Sequence, residues 1–202
     1  MNNWDYENHS NRHLVTHACQ ILQKNLASNA SAMQKIVTDT RVFHKDIFQN
    51  VVPTKQPAFA GNYRGSAYYY LQQYNVQIGE HYGTAAEHVE QDMVYFHDLF
   101  KESLAQFELK TAKLSNEEKL VIYSRLIGHF VVTFLTIHPY ANGNGHISRL
   151  IAWALFCHKG FNITSWDLDK RPDQPFDTFI AMYQQGQKDA MASYFYQLLV
   201  HS

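Results

Sequence analysis

Residues 138–149 carry the most chemical information in this chain and read HPYANGNGHISR, at the junction of two strongly apolar helical patterns. His138 ends the first pattern, and histidine, with an ordinary pKa near 6.5, is suited to proton transfer near neutral pH. Gly143 and Gly145 permit positive φ angles, so that successive main-chain N–H groups can converge on one anion. The stretch therefore predicts a turn between two helices that holds a base next to an anion-binding loop.

The start of the second helix adds to this capacity for binding anions. Its first N–H groups have no acceptors within the helix, and they lie at the positive end of the helix dipole. Arg149 lies about one turn further on, where its guanidinium can bind a second phosphate or a carboxylate. A base, an anion-binding loop and a cation in this order are typical of a phosphoryl- or nucleotidyl-transfer site. Other phosphate motifs are excluded, because Ser148 stands where Gly-x-Gly-x-x-Gly needs its third glycine and no Gly-Lys-Ser/Thr occurs.

Outward from this junction, the spacing of apolar residues is predominantly helical. A capping box formed by Ser115 and Glu118 begins the helix that ends at Pro139, and this helix is apolar nearly all round, as expected at the centre of a bundle. The segment 61–83 differs, because glycines bound a run of Tyr, Val and Ile that favours one short β-hairpin. Other helical patterns cover about 11–26, 31–49, 84–107, 147–160, 176–185 and 189–200.

Length and composition bound the class of protein. The 202 residues suffice for roughly one domain, and no repeat or long linker divides them. Apolar residues make up 46% of the chain and aromatic residues 14%, which excludes a disordered protein. The formal net charge of −1, without any basic run, argues against a nucleic-acid partner. We therefore expect a single all-α domain over residues 1–202 that carries one β-hairpin.

The sequence also bears on location. Its first residues have neither the basic nor the apolar region of a secretory signal, and the most apolar run, 126–137, is shorter than the roughly 20 residues of a membrane span. Cys19 and Cys157 lie far apart in apolar helical patterns, which favours two buried thiols in a reducing compartment over a disulfide or a metal pair. The sequence thus predicts a soluble, cytoplasmic protein without a membrane partner.

Residues 138–149 resemble the signature of the Fic family, His-Pro-Phe-x-(Asp/Glu)-Gly-Asn-Gly-Arg-x-x-Arg. Upstream, residues 43–48 (FHKDIF) and 59–64 (FAGNYR) resemble the family's FHxxIF and WAGxYR segments in the same order. The predicted hairpin falls where the family has the flap that docks a target peptide as an added strand. The resemblance covers about 41–199 and implies a Fic-type helical bundle, with an N-terminal helical extension at about 10–27.

Most Fic proteins transfer AMP from ATP to a Tyr, Ser or Thr hydroxyl of another protein. The resemblance implies that His138 accepts the proton of that hydroxyl and that Arg149 holds the terminal phosphates of the nucleotide. It implies that a protein substrate docks on the flap at about 64–83. It also implies that Mg²⁺ binds at Asn142 and that the loop holds the α- and β-phosphates through Gly143, Asn144 and Gly145.

Three positions depart from the family pattern, of which Tyr140 for Phe is a minor change because an aromatic residue is retained. Asn142 replaces a carboxylate, and its amide oxygen can ligate Mg²⁺ but brings no charge, so that metal affinity should fall. His146 replaces the first arginine as a phosphate ligand, and a neutral imidazole offers one N–H rather than a permanent bidentate fork. Without the resemblance, His146 is as well explained by a solvated histidine in the first turn of a helix as by a contact to a ligand.

Four alternatives for the function stay open: a donor other than ATP, a diphosphate-linked donor, a catalytically silent module that binds a nucleotide or a partner, and phosphate transfer as in the related Doc toxins. The last is less favoured, because those toxins lack the full Gly-Asn-Gly pattern.

Two features near the N-terminus have plainer explanations. His9, His13 and His17 recur every four residues, but no carboxylate or cysteine accompanies them at matching spacing, so we expect a solvated face rather than a metal site. Residues 3–8 partly match the inhibitory (Ser/Thr)-x-x-x-Glu-(Gly/Asn) helix of many Fic proteins, with Asn3 where Ser or Thr belongs. We expect an exposed segment there, in which case a separate inhibitory protein supplies the inhibition or none exists.

Overall fold

The computed structural model describes residues 4–28, 30–78 and 81–202, with the side chains of residues 28 and 30–32 excepted. The described residues form eight α-helices: α1 Arg12–Ser28, α2 Ala30–Thr38, α3 Arg41–Phe48, α4 Val89–Thr111, α5 Asn116–Ile137, α6 Asn144–His158, α7 Phe176–Gln184 and α8 Ala190–Val200. They also form one antiparallel sheet of two strands, β1 Gln77–Ile78 and β2 His81–Tyr82, with Gln77 opposite Tyr82 and Ile78 opposite His81. The prediction of an all-α fold with one β-hairpin is therefore confirmed.

Helix α5 lies at the centre of the fold, in contact with α4, α6, α7 and α8. The predicted capping box is present, since the Ser115 hydroxyl accepts a hydrogen bond from the Glu118 N–H and the Glu118 carboxylate accepts one from the Ser115 N–H. By length and composition alone α5 could cross a membrane, although the sequence suggested a shorter apolar run. Half of its most apolar window is buried inside the fold, and packing at the centre of a bundle accounts for its apolar sequence.

The helix predicted at 31–49 is interrupted at residues 39 and 40, between α2 and α3. The Asp39 carboxylate accepts a hydrogen bond from the Arg41 N–H at 2.8 Å, which offers the main chain an alternative to the helical bond. The hydroxyl of the buried Thr40 lies 2.7 Å from the Tyr140 hydroxyl. The break thus directs a polar side chain toward the loop that follows α5, and neither Gly nor Pro marks it in the sequence.

The hairpin is shorter than the segment 61–83 suggested, because each strand has only two residues and the rest of the described segment consists of turns, bends and irregular chain. The residues that join the two strands lie outside the described part of the chain. Tyr68 and Tyr69 are exposed, whereas Tyr70 is buried and its hydroxyl accepts a hydrogen bond from the Ala58 N–H at 2.8 Å. The three tyrosines therefore divide between the surface and the edge of the core.

A buried cation ties the hairpin segment to the end of α5. The guanidinium of the fully buried Arg64 donates hydrogen bonds to four main-chain carbonyls, those of His138 (2.8 Å), Tyr74 (3.0 Å), Thr84 (2.8 Å) and Ile137 (3.1 Å). Burial lowers the pKa of Arg64 to about 10, so that the side chain remains charged near neutral pH. Because the planar guanidinium fixes all four carbonyls at once, it sets the position of the last turn of α5 relative to the hairpin.

The prediction of an exposed N-terminal segment is wrong for two of its residues. Trp4 and Tyr6 are each only 5% exposed. The Trp4 ring stacks on Phe59, and its Nε1 donates a hydrogen bond to the Val51 carbonyl at 3.0 Å. Burial of these two large aromatic rings holds the segment in a fixed position. The polar residues around them in the sequence suggested an exposed segment instead. Residue 3, the first position of the partial inhibitory match, lies outside the described residues.

The surroundings of the cysteines and of the N-terminal histidines match the prediction in part. Cys19 is buried and Cys157 is partly buried, and both are free thiols. His13 and His17 are exposed on α1, as expected of a solvated face, whereas His9 precedes the helix and accepts a hydrogen bond at Nδ1 from the Asn11 N–H.

Candidate functional site

A cleft of about 530 Å³ opens at the junction of α5 and α6, a volume typical of sites that bind small molecules. The strand β1 contributes Ile78 to its lining, and the N-terminal segment contributes Tyr6 and Glu7. The cleft is also lined by every residue that the sequence predicted for the site: His138, Asn142, Gly143, Asn144, Gly145, His146 and Arg149. The structure therefore brings all of these residues together around one cavity.

His138 stands at the C-terminal end of α5, with its main chain in the left-handed region at φ 53° and ψ 59°. Few residues other than glycine adopt this conformation, which turns the chain sharply out of the helix. The Nδ1 atom lies 3.3 Å from the Leu135 carbonyl oxygen. Since a carbonyl can only accept a hydrogen bond, Nδ1 carries the proton in the neutral ring, and Nε2 is left as the atom that can accept one.

The environment of His138 keeps its imidazole uncharged. Burial is the main reason that its pKa is lowered to about 4, the nearby Arg64 adds to the shift, and the Leu135 carbonyl opposes it only in part. Gly83, just after the hairpin, packs closely against the base of this side chain, because a Cβ at that position would lie 2.9 Å from the Cβ of His138. The hairpin segment therefore confines a histidine that is neutral at physiological pH.

Hydrogen bonds within the loop hold it in shape. The amide of the buried Asn144 accepts a hydrogen bond from the Tyr140 N–H and donates one to the Tyr140 carbonyl, both at 2.9 Å. His44 Nε2 donates to the Asn142 carbonyl at 3.0 Å, while its Nδ1 accepts from the Gly61 N–H at 3.0 Å. Because the side chain of Asn144 is used inside the loop, a contact from this residue to a phosphate has to come from its main-chain N–H.

Gly143 precedes α6 and has a positive φ of 79°. A Cβ at this position would lie 2.4 Å from the Phe48 ring, so that both the conformation and the space require glycine. The Gly143 N–H donates to the Asn142 side-chain oxygen at 2.7 Å. Within the described part of the chain, the N–H groups of Asn144 and Gly145 have no hydrogen-bond acceptor, as expected in the first turn of a helix. Two main-chain donors are thus available to an anion in the cleft.

Arg149 brings a buried cation to these donors. Its side chain is only 6% exposed, and its Nε donates to the Leu168 carbonyl at 2.8 Å. The Nη1 atom has no acceptor among the described residues, and it lies 3.2 Å from the position that a Cβ on Gly145 would occupy. Burial lowers the pKa of Arg149, but a guanidinium stays charged at physiological pH. Arg149 therefore offers free N–H groups beside the first turn of α6.

His146 is buried, so the solvated position that the sequence left open is excluded. Its Nε2 lies 3.3 Å from Asp169 Oδ1, and its Nδ1 lies 3.4 Å from the Tyr6 hydroxyl. Burial lowers the pKa of His146, and the hydrogen bond from this ring is the main reason that the pKa of Asp169 is lowered. The imidazole is thus held by two protein partners on the wall of the cleft.

Sequence reasoning missed Asp169, which organises this wall. Its Oδ1 accepts from Arg12 Nη2 at 2.8 Å, and its Oδ2 accepts from the Thr16 hydroxyl at 2.9 Å. The partners are separated from Asp169 by about 150 residues in the chain, in a loop without a recognisable motif. No local pattern in the sequence signals such a contact.

The side chain of Asn142 and its surroundings do not suit the binding of Mg²⁺. The Asn142 oxygen is turned toward the Gly143 N–H, and its amide nitrogen donates to the Trp4 carbonyl at 3.0 Å. Mg²⁺ is usually held by one or two carboxylates, and none stands at this position. Among the described residues that line the cleft, the carboxylates are Glu7, Asp169 and Asp177. We therefore derive no chemical step through this metal.

Comparison with known proteins adds no family to this picture. No protein-family model matches the chain, and no curated protein matches it. The resemblance of residues 138–149 to the Fic signature accordingly stays a prediction from the sequence.

Proposed function

We propose that this protein is a Fic-type nucleotidyltransferase, which transfers AMP or another nucleotide moiety from a nucleoside triphosphate to a Tyr, Ser or Thr hydroxyl of a protein. One observation carries the proposal. A neutral histidine with an available Nε2 lines the same cleft as two main-chain N–H groups without acceptors and a buried guanidinium with a free Nη1. Such a set can receive a proton from a nucleophile and stabilise the charge on transferring phosphates.

In the proposed reaction, Nε2 of His138 accepts the proton of the protein hydroxyl. The hydroxyl oxygen forms a bond to the α-phosphorus, the bond from this phosphorus to the bridging oxygen breaks, and pyrophosphate leaves with the bonding electron pair. With a pKa of about 4, the imidazole alone is a weak base. The negative charge of bound phosphates favours the protonated ring and so raises this pKa toward the working pH.

The donor phosphates would be held by the loop and by Arg149. The N–H groups of Asn144 and Gly145 provide a main-chain anion site, and the guanidinium provides the only cation that the described part of the motif directs there. His146 is engaged with Asp169 and Tyr6, which leaves it poorly placed to add a second positive charge. The donor can therefore be a triphosphate or a diphosphate-linked nucleotide, and ATP is the first candidate by resemblance.

The acceptor protein would approach along the hairpin. A second groove of about 540 Å³ lies between β2 and α7 and shares Ile78 and Leu135 with the cleft. A strand added to a short, exposed sheet edge is a common mode of peptide binding. This continuity supports docking of a protein substrate on the flap at about 64–83, with its hydroxyl directed toward His138.

The proposal is tested by incubating the protein with candidate acceptor proteins and a nucleotide labelled at the α- or the γ-phosphate. We expect transfer of the α-label alone, and we expect His138→Ala to reduce it by about 10²–10⁴-fold because the general base is lost. His129→Ala is the matched control, since His129 lies on the same helix and contacts Tyr183 instead of the cleft. Transfer that survives His138→Ala contradicts the assignment, and transfer of the γ-label indicates a phosphotransferase of the Doc kind.

A second candidate function is a catalytically silent module that binds a nucleotide or a partner. It is favoured by the Asn142 oxygen, which is bonded within its own loop, and by the hydrogen bond that joins His146 to Asp169. Calorimetric titration with ATP, GTP, UTP, CTP and CDP-choline, with and without Mg²⁺, identifies the donor in either case. A large gain of transfer in the double variant Asn142→Asp, His146→Arg indicates a degenerate site, whereas no gain or a loss indicates a site specialised for its own donor.

A further inference from the structure

Three side chains that commonly bind metals meet at the wall of the cleft, next to the first turn of α6. Cys19 of α1, His146 of α6 and Asp169 each offer one ligand atom, and these atoms all lie within 4.8 Å of one another. No other group of three such side chains occurs in the parts of the chain that the structure describes. Three distant segments of the sequence thus converge on one point.

We propose that these residues, which we call the Cys19 cluster, form a binding site for a transition metal of the Zn²⁺ class. Zn²⁺ accepts thiolate, imidazole and carboxylate ligands, whereas Mg²⁺ selects oxygen ligands alone. The 3.3 Å between His146 Nε2 and Asp169 Oδ1 matches the separation of roughly 3.3–3.4 Å that two ligands take around a tetrahedral ion. A thiolate and a carboxylate together also balance the two positive charges of the ion.

The neighbours of the Cys19 cluster are those that orient metal ligands in other proteins. Asp169 accepts hydrogen bonds from Arg12 and Thr16, which fix its carboxylate, and the Tyr6 hydroxyl lies beside the other ring nitrogen of His146. Cys19 is fully buried, whereas His146 and Asp169 line the cleft. Three protein ligands with the remaining position directed to a cavity are typical of an open zinc site, as opposed to a closed structural one.

Metal binding requires a defined movement of protons. Nε2 of His146 has to release its proton to bind the ion, and the ring stays neutral if Nδ1 takes up a proton, keeps it, and donates a hydrogen bond to the Tyr6 oxygen. The Cys19 thiol binds as a thiolate, so that its proton passes to the solvent. The net reaction releases one proton for each ion bound, and no electron is transferred.

The experiment uses the chain of 202 residues and Co²⁺, which replaces Zn²⁺ and reports thiolate ligation by a charge-transfer absorption band. We expect one equivalent of Co²⁺ to produce this band, Zn²⁺ to abolish it by competition, and calorimetry in two buffers to give one proton released. Cys19→Ser should lose the band and weaken Co²⁺ binding at least tenfold. Cys157→Ser is the matched control, because it removes the other thiol and leaves the Cys19 cluster intact.

Several results would overturn the proposal: no charge-transfer band in the unaltered protein, a band that persists in Cys19→Ser, or a band lost in Cys157→Ser. Co²⁺ binding that is lost in His13→Gln and retained in Cys19→Ser would assign the ion to the exposed face of α1 instead. Asp169→Asn provides a second test if Cys19→Ser fails to fold, as judged by circular dichroism, and it should weaken binding by a similar factor. The titration contains no nucleotide, so its outcome is independent of the proposed transferase activity.

Discussion

Asn144 uses its entire amide inside the loop to which it belongs, so its removal should be costly. Asn144→Ala leaves the N–H and carbonyl of the fully buried Tyr140 without partners, and an unpaired buried polar group costs about 1–3 kcal/mol. We expect the free energy of unfolding, measured by urea denaturation, to fall by about 2–4 kcal/mol. The exposed Asn116, treated in the same way, should change it by less than about 0.5 kcal/mol. Equal losses in both variants would mean that the two hydrogen bonds between Asn144 and Tyr140 do not stabilise the fold.

At the scale of single residues, the sequence predicts those members of the site that lie next to one another in the chain. His138, the loop glycines and Arg149 are recognisable because helix periodicity and turn chemistry place them on one junction. The contacts of His146 with Tyr6 and Asp169 could not be predicted in this way, since they join segments with no shared periodicity. For the same reason the sequence left the environment of His146 open, and the structure resolves it as a buried one.

Helix α6 offers a direct test of the loop because it has a left-handed glycine at each end. Gly143 has a φ of 79° and a Cβ there would meet Phe48, whereas Gly160 has a φ of 75° and no atom within 4 Å. Alanine at either position suffers a similar backbone penalty, so the difference between the variants measures the clash alone. We expect Gly143→Ala to lose about 1–3 kcal/mol more in urea unfolding than Gly160→Ala and to lose nucleotide binding in calorimetry. Equal free energies of unfolding in the two variants would show that the loop accommodates a Cβ at position 143 at no cost.

At the scale of elements, the amphipathic pattern predicts where helices exist better than where they are divided. The central helix and its capping box are present as predicted, because a capping box and an apolar run are local signals. The break at residues 39 and 40 depends instead on an Asp side chain that bonds the main chain and on a Thr that is bonded to the loop after α5. Asp39 bonds to Arg41, which is close in sequence, whereas Thr40 bonds to Tyr140, which is 100 residues away. The second contact therefore leaves no local signal in the sequence.

The whole molecule should be sensitive to mild acid, because several buried histidines resist protonation in the folded state. Burial lowers the pKa of His44 to about 3 and that of His138 to about 4, and it lowers the pKa of His97, His129, His146 and His158 as well. Below about pH 6.5 the unfolded chain takes up protons that the native protein does not, so stability falls as the pH falls.

Urea unfolding at pH 7, 6 and 5 checks this expectation. His44 is fully buried and should alone account for about 2 kcal/mol of lost stability between pH 7 and pH 5. His44→Gln should therefore give a shallower dependence on pH, whatever its stability at pH 7. A pH-independent free energy of unfolding, or an unchanged slope in the variant, would contradict the assignment.

Arg64 joins the hairpin segment at the surface to the end of α5 at the cleft. The same guanidinium is bonded to carbonyls on both sides of the hairpin, at Tyr74 and Thr84, and to the carbonyl of His138. A displacement of the hairpin would therefore be opposed by bonds that also hold the main chain of His138. Under the proposed function, a polypeptide bound along the hairpin would thus act on the backbone that positions the proton-accepting imidazole.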